Sequence, residues 1–273
     1  MMKQISAFGS PFSHDITSCH NITPTYFNWV YDQPTDSDIE VYLDYNILGA
    51  KTSVSKNKFL WLCESRGIVQ PQMLFVKNNY HYLKQFYTKI FVHDYSLLSL
   101  DDVFSYCPPA ANHTWVIDRG IHKKSKLVSM VSSGKTMCEG HIYRNNKMKE
   151  FQNCEYPIDY YGKLFNPFDK KEDVLKDYYF SITIENESYS NYYTEKLMDC
   201  FATGTIPIYY GTPEIDKMFN MDGIIILDDN FKINMLTTEY YYSKLDAVKD
   251  NYERCLIHKS SDDYLYERIM ELI

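Results

Sequence analysis

An apolar run that ends in two polar residues, followed by an acid–base pair at the opening of a helix, is the part of this chain best spaced for chemistry. Residues 180–211, FSITIENESYSNYYTEKLMDCFATGTIPIYYG, carry it. The run delivers Glu185 and Asn186, and a polar loop leads to Thr194, a natural N-cap. Glu195 and Lys196 then fall in the first helical turn, the helix ends at Gly204, and a strand is predicted over 206–210. In an open α/β sheet, charged ligands sit outside the carboxyl ends of the strands. A nucleoside diphosphate needs a cation for its phosphates and an acceptor for its ribose hydroxyls, and Lys196 and Glu195 supply one of each. A lysine in the first turn opposes the helix dipole, a cost that an anion at that helix end would offset. An ordinary helix start with a solvent-facing Glu–Lys pair has the same spacing and stays open as the alternative.

Arg144 is the second cation, on a helix predicted over 141–151 after the loop Ser132-Ser133-Gly134-Lys135. A guanidinium fork grips two phosphate oxygens at once; the other reading is a surface arginine. Gly134-Lys135 lacks the spacing of a P-loop. In the first half, the buried apolar run 59–63 stops at Glu64, Ser65, Arg66 and Gly67. A carboxylate at such a strand end is placed to take a proton from a hydroxyl, or else it is a loop acid neutralised by Arg66. Asp36-Ser37-Asp38 has a metal-binding look but reads as a solvated turn, and Asp228 and Asp229 follow a strand. No metal is expected.

The elements that position these residues alternate between strand and helix. Strands are expected at 5–8, closed by Gly9, Ser10 and Pro11, and at 39–43, 59–63 and 90–92, with a helix over 78–88. A polar, basic stretch over 118–125 reads as a linker. Beyond it come a strand at 127–131, the helix at 141–151, a strand near 156–160, the region described above, a strand over 223–227, and helices near 235–248 and 261–272. This order predicts α/β domains with mainly parallel sheets: 1–122, 123–255, and a final helix in 256–273 that packs back on the first. The chain has 273 residues, enough for two domains. A net charge of −8 argues against a nucleic-acid backbone as partner. The seven cysteines show no metal or redox spacing, and no run of 18 apolar residues or signal segment is present. Reduced thiols in a cytoplasmic compartment are expected. The 26 tyrosines are core and boundary packing, with some carbohydrate-facing surface as the other account.

Residues 180–211 resemble the signature region of the α-1,3/4-fucosyltransferase family. That family has a strand ending in Phe-Glu-Asn-Ser or similar, a Tyr-x-Thr-Glu-Lys helix start and a Gly-x-x-Pro-x-x-x-Gly run. Here Glu185, Asn186, Tyr192, Thr194, Glu195, Lys196, Gly204, Pro207 and Gly211 stand in that order. Residues 128–133 with Arg144 resemble the family's Phe-x-x-Ser-Asn strand and pyrophosphate-binding arginine, with Gly134 where asparagine is usual. Residues 159–162 resemble its Val-Asp-x-x-Gly segment, and Glu64-Ser65 its Glu-Ser-Pro motif, with Arg66 in place of proline.

The resemblance implies an inverting enzyme of GT-B type, two facing Rossmann-like domains, acceptor-binding first and GDP-sugar-binding second. It implies that fucose moves from GDP-fucose to a glycan hydroxyl, in α-1,3 linkage to N-acetylglucosamine or a related sugar, leaving GDP and needing no cofactor. By the same resemblance Lys196 and Arg144 hold the diphosphate, Glu195 the ribose and Tyr192 the nucleotide, while Glu185 and Asn186 line the sugar pocket and Glu64 is the base. A chain of this length with no anchor segment fits a bacterial or viral cytoplasmic enzyme. The alternatives are a glycosyltransferase of the same architecture with another donor, or a non-catalytic nucleotide- or glycan-binding protein. A dehydrogenase would need a Gly-x-Gly-x-x-Gly turn, which is absent.

Overall fold

A computed structural model describes residues 2–9, 12, 17–153 and 156–273. Ser10, Pro11 and Cys154 lie outside the described residues. The chain divides into one unit of residues 1–112 with 259–273 and a second of residues 113–258.

The first unit is built on strands β1 (Lys3–Phe8), β2 (Phe27–Tyr31), β3 (Ile39–Leu43), β4 (Asn57–Trp61), β5 (Lys89–Val92) and β6 (Phe104–Tyr106). All pair parallel, in the order β2-β1-β3-β4-β5-β6. Burial on both faces explains why the central strands read as unbroken apolar runs. Successive side chains point to opposite faces, so Leu60 joins a core with Tyr42 and Ile90, while Phe59 and Trp61 join another with Val41 and Phe91. The first face is covered by α1 (Gln70–Leu83), through Val69, Met73, Val76 and Leu83. This helix starts earlier than the expected 78–88, with a proline in its first turn. Of the residues whose spacing suggested the later start, Leu83, Phe86 and Tyr87 pack on this core, the last two from beyond the helix end, while Tyr82 is exposed. After the short α2 (Tyr95–Leu98), the other face is closed by a helix from the far end of the chain, Ser261–Met270, whose Leu265 and Ile269 enter the core of Phe59 and Trp61.

The second unit contains β7 (Lys126–Val131), α3 (Glu139–Gln152), β8 (Ile158–Tyr161), β9 (Tyr178–Ile184), α4 (Glu195–Ala202), β10 (Ile206–Tyr210), β11 (Ile225–Ile226), α5 (Thr238–Ser243) and α6 (Leu245–Leu256). The helix closing the first unit is α7. The strand order is β11-β10-β9-β7-β8, again all parallel. The chain winds outward one way from β7 to β8 and the other way from β9 to β10 and β11. The connections therefore diverge between β7 and β9, and a crevice opens at their carboxyl ends, where ligands of open α/β sheets bind. The single helix expected over 235–248 is two, meeting at Lys244, and the strand expected over 223–227 is only two residues long. Lys124, in the stretch read as a linker, is buried, and its Nζ donates to the carbonyls of Lys176 and Thr203 and to Thr205 Oγ1.

Candidate active site

The crevice between β7 and β9 is bounded by the first turns of α3 and α4. Strand β9 is buried from Phe180 to Ile184, and it delivers Glu185 with no exposed surface. A buried carboxylate must be hydrogen-bonded, and both oxygens of Glu185 are committed. Oε1 accepts from Thr194 N at 2.8 Å and Oε2 from Thr194 Oγ1 at 2.7 Å. Thr194 is the N-cap of α4 and accepts from Lys196 N. Lys196 Nζ donates to Thr194 Oγ1 at 3.0 Å and lies 3.5 Å from Glu185 Oε2 and 3.4 Å from Glu195 Oε1. Burial raises the Glu185 carboxyl above its ordinary range, and Lys196 opposes that rise. Glu185 therefore ties the end of β9 to the start of α4; it is not exposed as a sugar-lining group would be. Glu195 and Tyr192 are also buried, and Tyr192 stacks on Tyr189 with ring centroids 4.9 Å apart.

Helix α3 approaches the same strand end very closely. Gly140 N donates to Asn186 O at 2.8 Å, and a Cβ on Gly140 would lie 2.1 Å from Glu185 O. One turn on, Arg144 is buried and its Nη2 donates to Ile184 O. Burial lowers the guanidinium's pKa, while Glu185 and Glu195 act to raise it. Arg144 and Lys196, far apart in sequence, thus converge on the carboxyl end of β9. His141 is the residue that the sequence did not single out here. It is buried, and its pKa is pushed down to about 4, first by burial and then by Arg144, Lys196 and Lys135. Asn145 fastens the loop before α3, accepting from Ser132 Oγ and donating to Lys135 O.

In the first unit, Glu64 follows β4 at the carboxyl edge of its own sheet, and its Oε1 accepts from Ser65 N at 2.7 Å. The segment is held by Asp44, which follows β3. Asp44 Oδ1 accepts from Cys63 N at 2.9 Å and Glu64 N at 3.4 Å, and Oδ2 from Cys63 Sγ at 3.1 Å. Burial pushes Asp44 up to about 6. Arg66 pairs with Asp94, at 3.7 Å. Asp44 is the second residue missed in the sequence, because its bond to the Glu64 segment exists only once β3 and β4 are paired. Among the described residues, no three His, Cys, Asp or Glu side chains group to hold a metal ion, and no helix is long and apolar enough to cross a membrane.

Two doubly wound, all-parallel units, the second with cations gathered at its switch point, make this a GT-B-type fold. The chain belongs to glycosyltransferase family 10 (fucosyltransferase), whose C-terminal family model matches residues 121–267. It is 31% identical over 102 residues to the alpha-(1,3)-fucosyltransferase FucT of Helicobacter pylori, across 36% of this chain and 21% of that protein. It is 29% identical over 156 residues to alpha-(1,3)-fucosyltransferase B of Drosophila melanogaster, across 51% of this chain and 34% of that protein. The matches thus span only about a fifth to a third of these relatives' length. Since the relatives include an insect protein, the likeness does not point to a bacterial or viral source. A crystal structure of an alpha1,3-fucosyltransferase with GDP-fucose superposes with a TM-score of 0.54 at 16% identity, covering 99% of this chain and 90% of that one. Staphylococcus aureus TarM, crystallised with UDP, gives 0.54 at 11% identity over 86% of this chain and 56% of its own. At these identities the likeness is one of fold.

Proposed function

We propose that this protein transfers fucose from GDP-fucose to a hydroxyl of a glycan, with inversion at the anomeric carbon. The convergence of Arg144 and Lys196 on the carboxyl end of β9 carries the reading. Arg144 and Lys196 bind the diphosphate, Glu195 accepts from the ribose hydroxyls, and Tyr192 packs by the nucleotide. Asn186 borders the sugar, and Glu185 contributes by fixing Thr194 and Lys196. Glu64 is the base. It takes the acceptor hydroxyl proton as the new oxygen–carbon bond forms, and the bond from the anomeric carbon to the β-phosphate oxygen breaks with its electron pair leaving on GDP. Lys196 and Arg144 neutralise that charge, so no metal or other cofactor is needed. The acceptor is a glycan joined in α-1,3 linkage at N-acetylglucosamine or a related sugar, and the enzyme works in the cytoplasm.

The family membership, and relatives named as alpha-(1,3)-fucosyltransferases, support this choice of sugar and linkage. So does a fold shared with an alpha1,3-fucosyltransferase crystallised with GDP-fucose. Calorimetric titration with GDP, UDP and ADP tests the donor. GDP should bind well above the other two, and equal affinity for all three would overturn the assignment.

A further inference from the structure

Helix α3 has 14 residues, and Cys138 at its cap position makes no side-chain capping bond. Backbone N–H groups at a helix start favour an anion, though Gly140 N is already given to Asn186 O. A second, independent feature lies in that first turn. His141 is only 5% exposed, and its ring Nδ1 has no hydrogen-bond partner. A buried polar atom left unmade costs about 1 to 3 kcal/mol, and native structures keep few of them without a reason. The surroundings supply the reason. Arg144 lies on the same helix, Lys196 on α4 and Lys135 on the loop before α3, and all three act on the ring in the same sense, against its protonation. A neutral imidazole donor set among three cations is a place short of negative charge. The backbone on either side is held: Gly140 N donates to Asn186 O, and Asn145 donates to Lys135 O.

We infer that His141 is a further donor-binding residue, its ring N–H donating to a diphosphate oxygen of the nucleotide sugar. The assignment rests on the donor reading above, and it adds a neutral, directional contact to the two charged ones. Hydrogen bonds to a charged group are worth about 1.5 to 3 kcal/mol, so losing this one should weaken diphosphate binding by about tenfold or more.

The test compares GDP, GMP and guanosine, titrated calorimetrically into the wild type and into His141→Ala, His141→Asn and His141→Gln, with melting curves alongside. An Asn amide nitrogen takes the place of ring Nδ1; a Gln amide nitrogen takes that of Nε2. His141→Ala should lose about tenfold for GDP and less than about twofold for guanosine, and His141→Asn should recover most of the loss where His141→Gln does not. Equal losses for GDP and guanosine, or recovery by neither amide, would mark His141 as structural and overturn the assignment. If the Ala variant does not fold, the contrast between Asn and Gln decides. A wild type that binds GDP while His141→Ala binds it equally well overturns the His141 contact alone. A wild type that binds no nucleoside diphosphate overturns the donor reading and the contact together.

Discussion

Lys196 and Glu64 stand in different units and should fail in different ways when replaced. Lys196 has a partly open side chain with Nζ near Thr194, Glu185 and Glu195. Lys196→Ala removes a charge-assisted contact to the proposed diphosphate, so GDP affinity should fall by roughly tenfold or more in a calorimetric titration. Unchanged affinity in a folded variant would remove Lys196 from the donor site. Glu64 accepts from Ser65 N, a bond that a glutamine carbonyl also makes, so Glu64→Gln should fold and bind GDP normally. Its transfer rate, followed with GDP-fucose and a panel of galactose- and N-acetylglucosamine-containing acceptors, should drop by about 10² to 10⁴-fold. Full activity would move the base elsewhere. At this scale, legibility followed locality. Thr194, Glu195 and Lys196 declared themselves because a cap and its first turn are neighbours in sequence. His141 and Asp44 did not, because what distinguishes them is distant in the chain: Lys196 for one, Cys63 and Glu64 for the other.

The elements matter through how closely two of them meet. Gly140 brings the first turn of α3 against the backbone of Glu185 and Asn186, and a methyl group there would stand 2.1 Å from one carbonyl oxygen and 2.4 Å from the other. Backbone cannot swing aside as a side-chain tip can, so Gly140→Ala must push α3 away and carry Arg144 off Ile184 O. Overpacking of this kind destabilises by about 1 to 3 kcal/mol. A lower thermal midpoint together with weaker GDP binding is expected; a variant with wild-type melting and wild-type affinity would show that the contact is not needed. The sequence announced the buried strands well, since unbroken apolar runs leave little choice. It missed β2 and β6, which pair on one side only, at the sheet edges, and so carry mixed residues. It also started α1 late, because the apolar residues at 82, 83, 86 and 87 have helical spacing although the last two reach the core from beyond the helix end.

Across the whole molecule, buried charge couples folding to pH, and Lys124 offers the cleanest window. Burial lowers its pKa from 10.5 to about 7, and it is fixed to Lys176, Thr203 and Thr205. Between these two values the unfolded chain binds more protons than the folded one, so stability increases as pH rises and is lost as pH falls through 7. From pH 7 to 9 the gain attributable to Lys124 should be about 2 kcal/mol at most, read as a rising denaturant midpoint of the second unit. Lys124→Met, which keeps the apolar stem without the amine, should flatten the rise. A rise unchanged in that variant would assign it to another group.

The first unit is discontinuous. Asp262, at the start of α7, accepts from Ser18 Oγ and Trp29 Nε1, and Leu265 and Ile269 complete the core around Phe59 and Trp61. Asp262, Leu265 and Ile269 do not yet exist when residues 1–112 leave the ribosome. At about 5 to 20 residues per second, synthesis of the intervening 113–258 takes on the order of ten seconds. Throughout that interval the sheet of the first unit keeps one apolar face uncovered, while the strands of the second are contiguous in sequence. The nascent chain is therefore most open to aggregation, and to capture by chaperones, in residues 1–112. The unit begun first is the last to close.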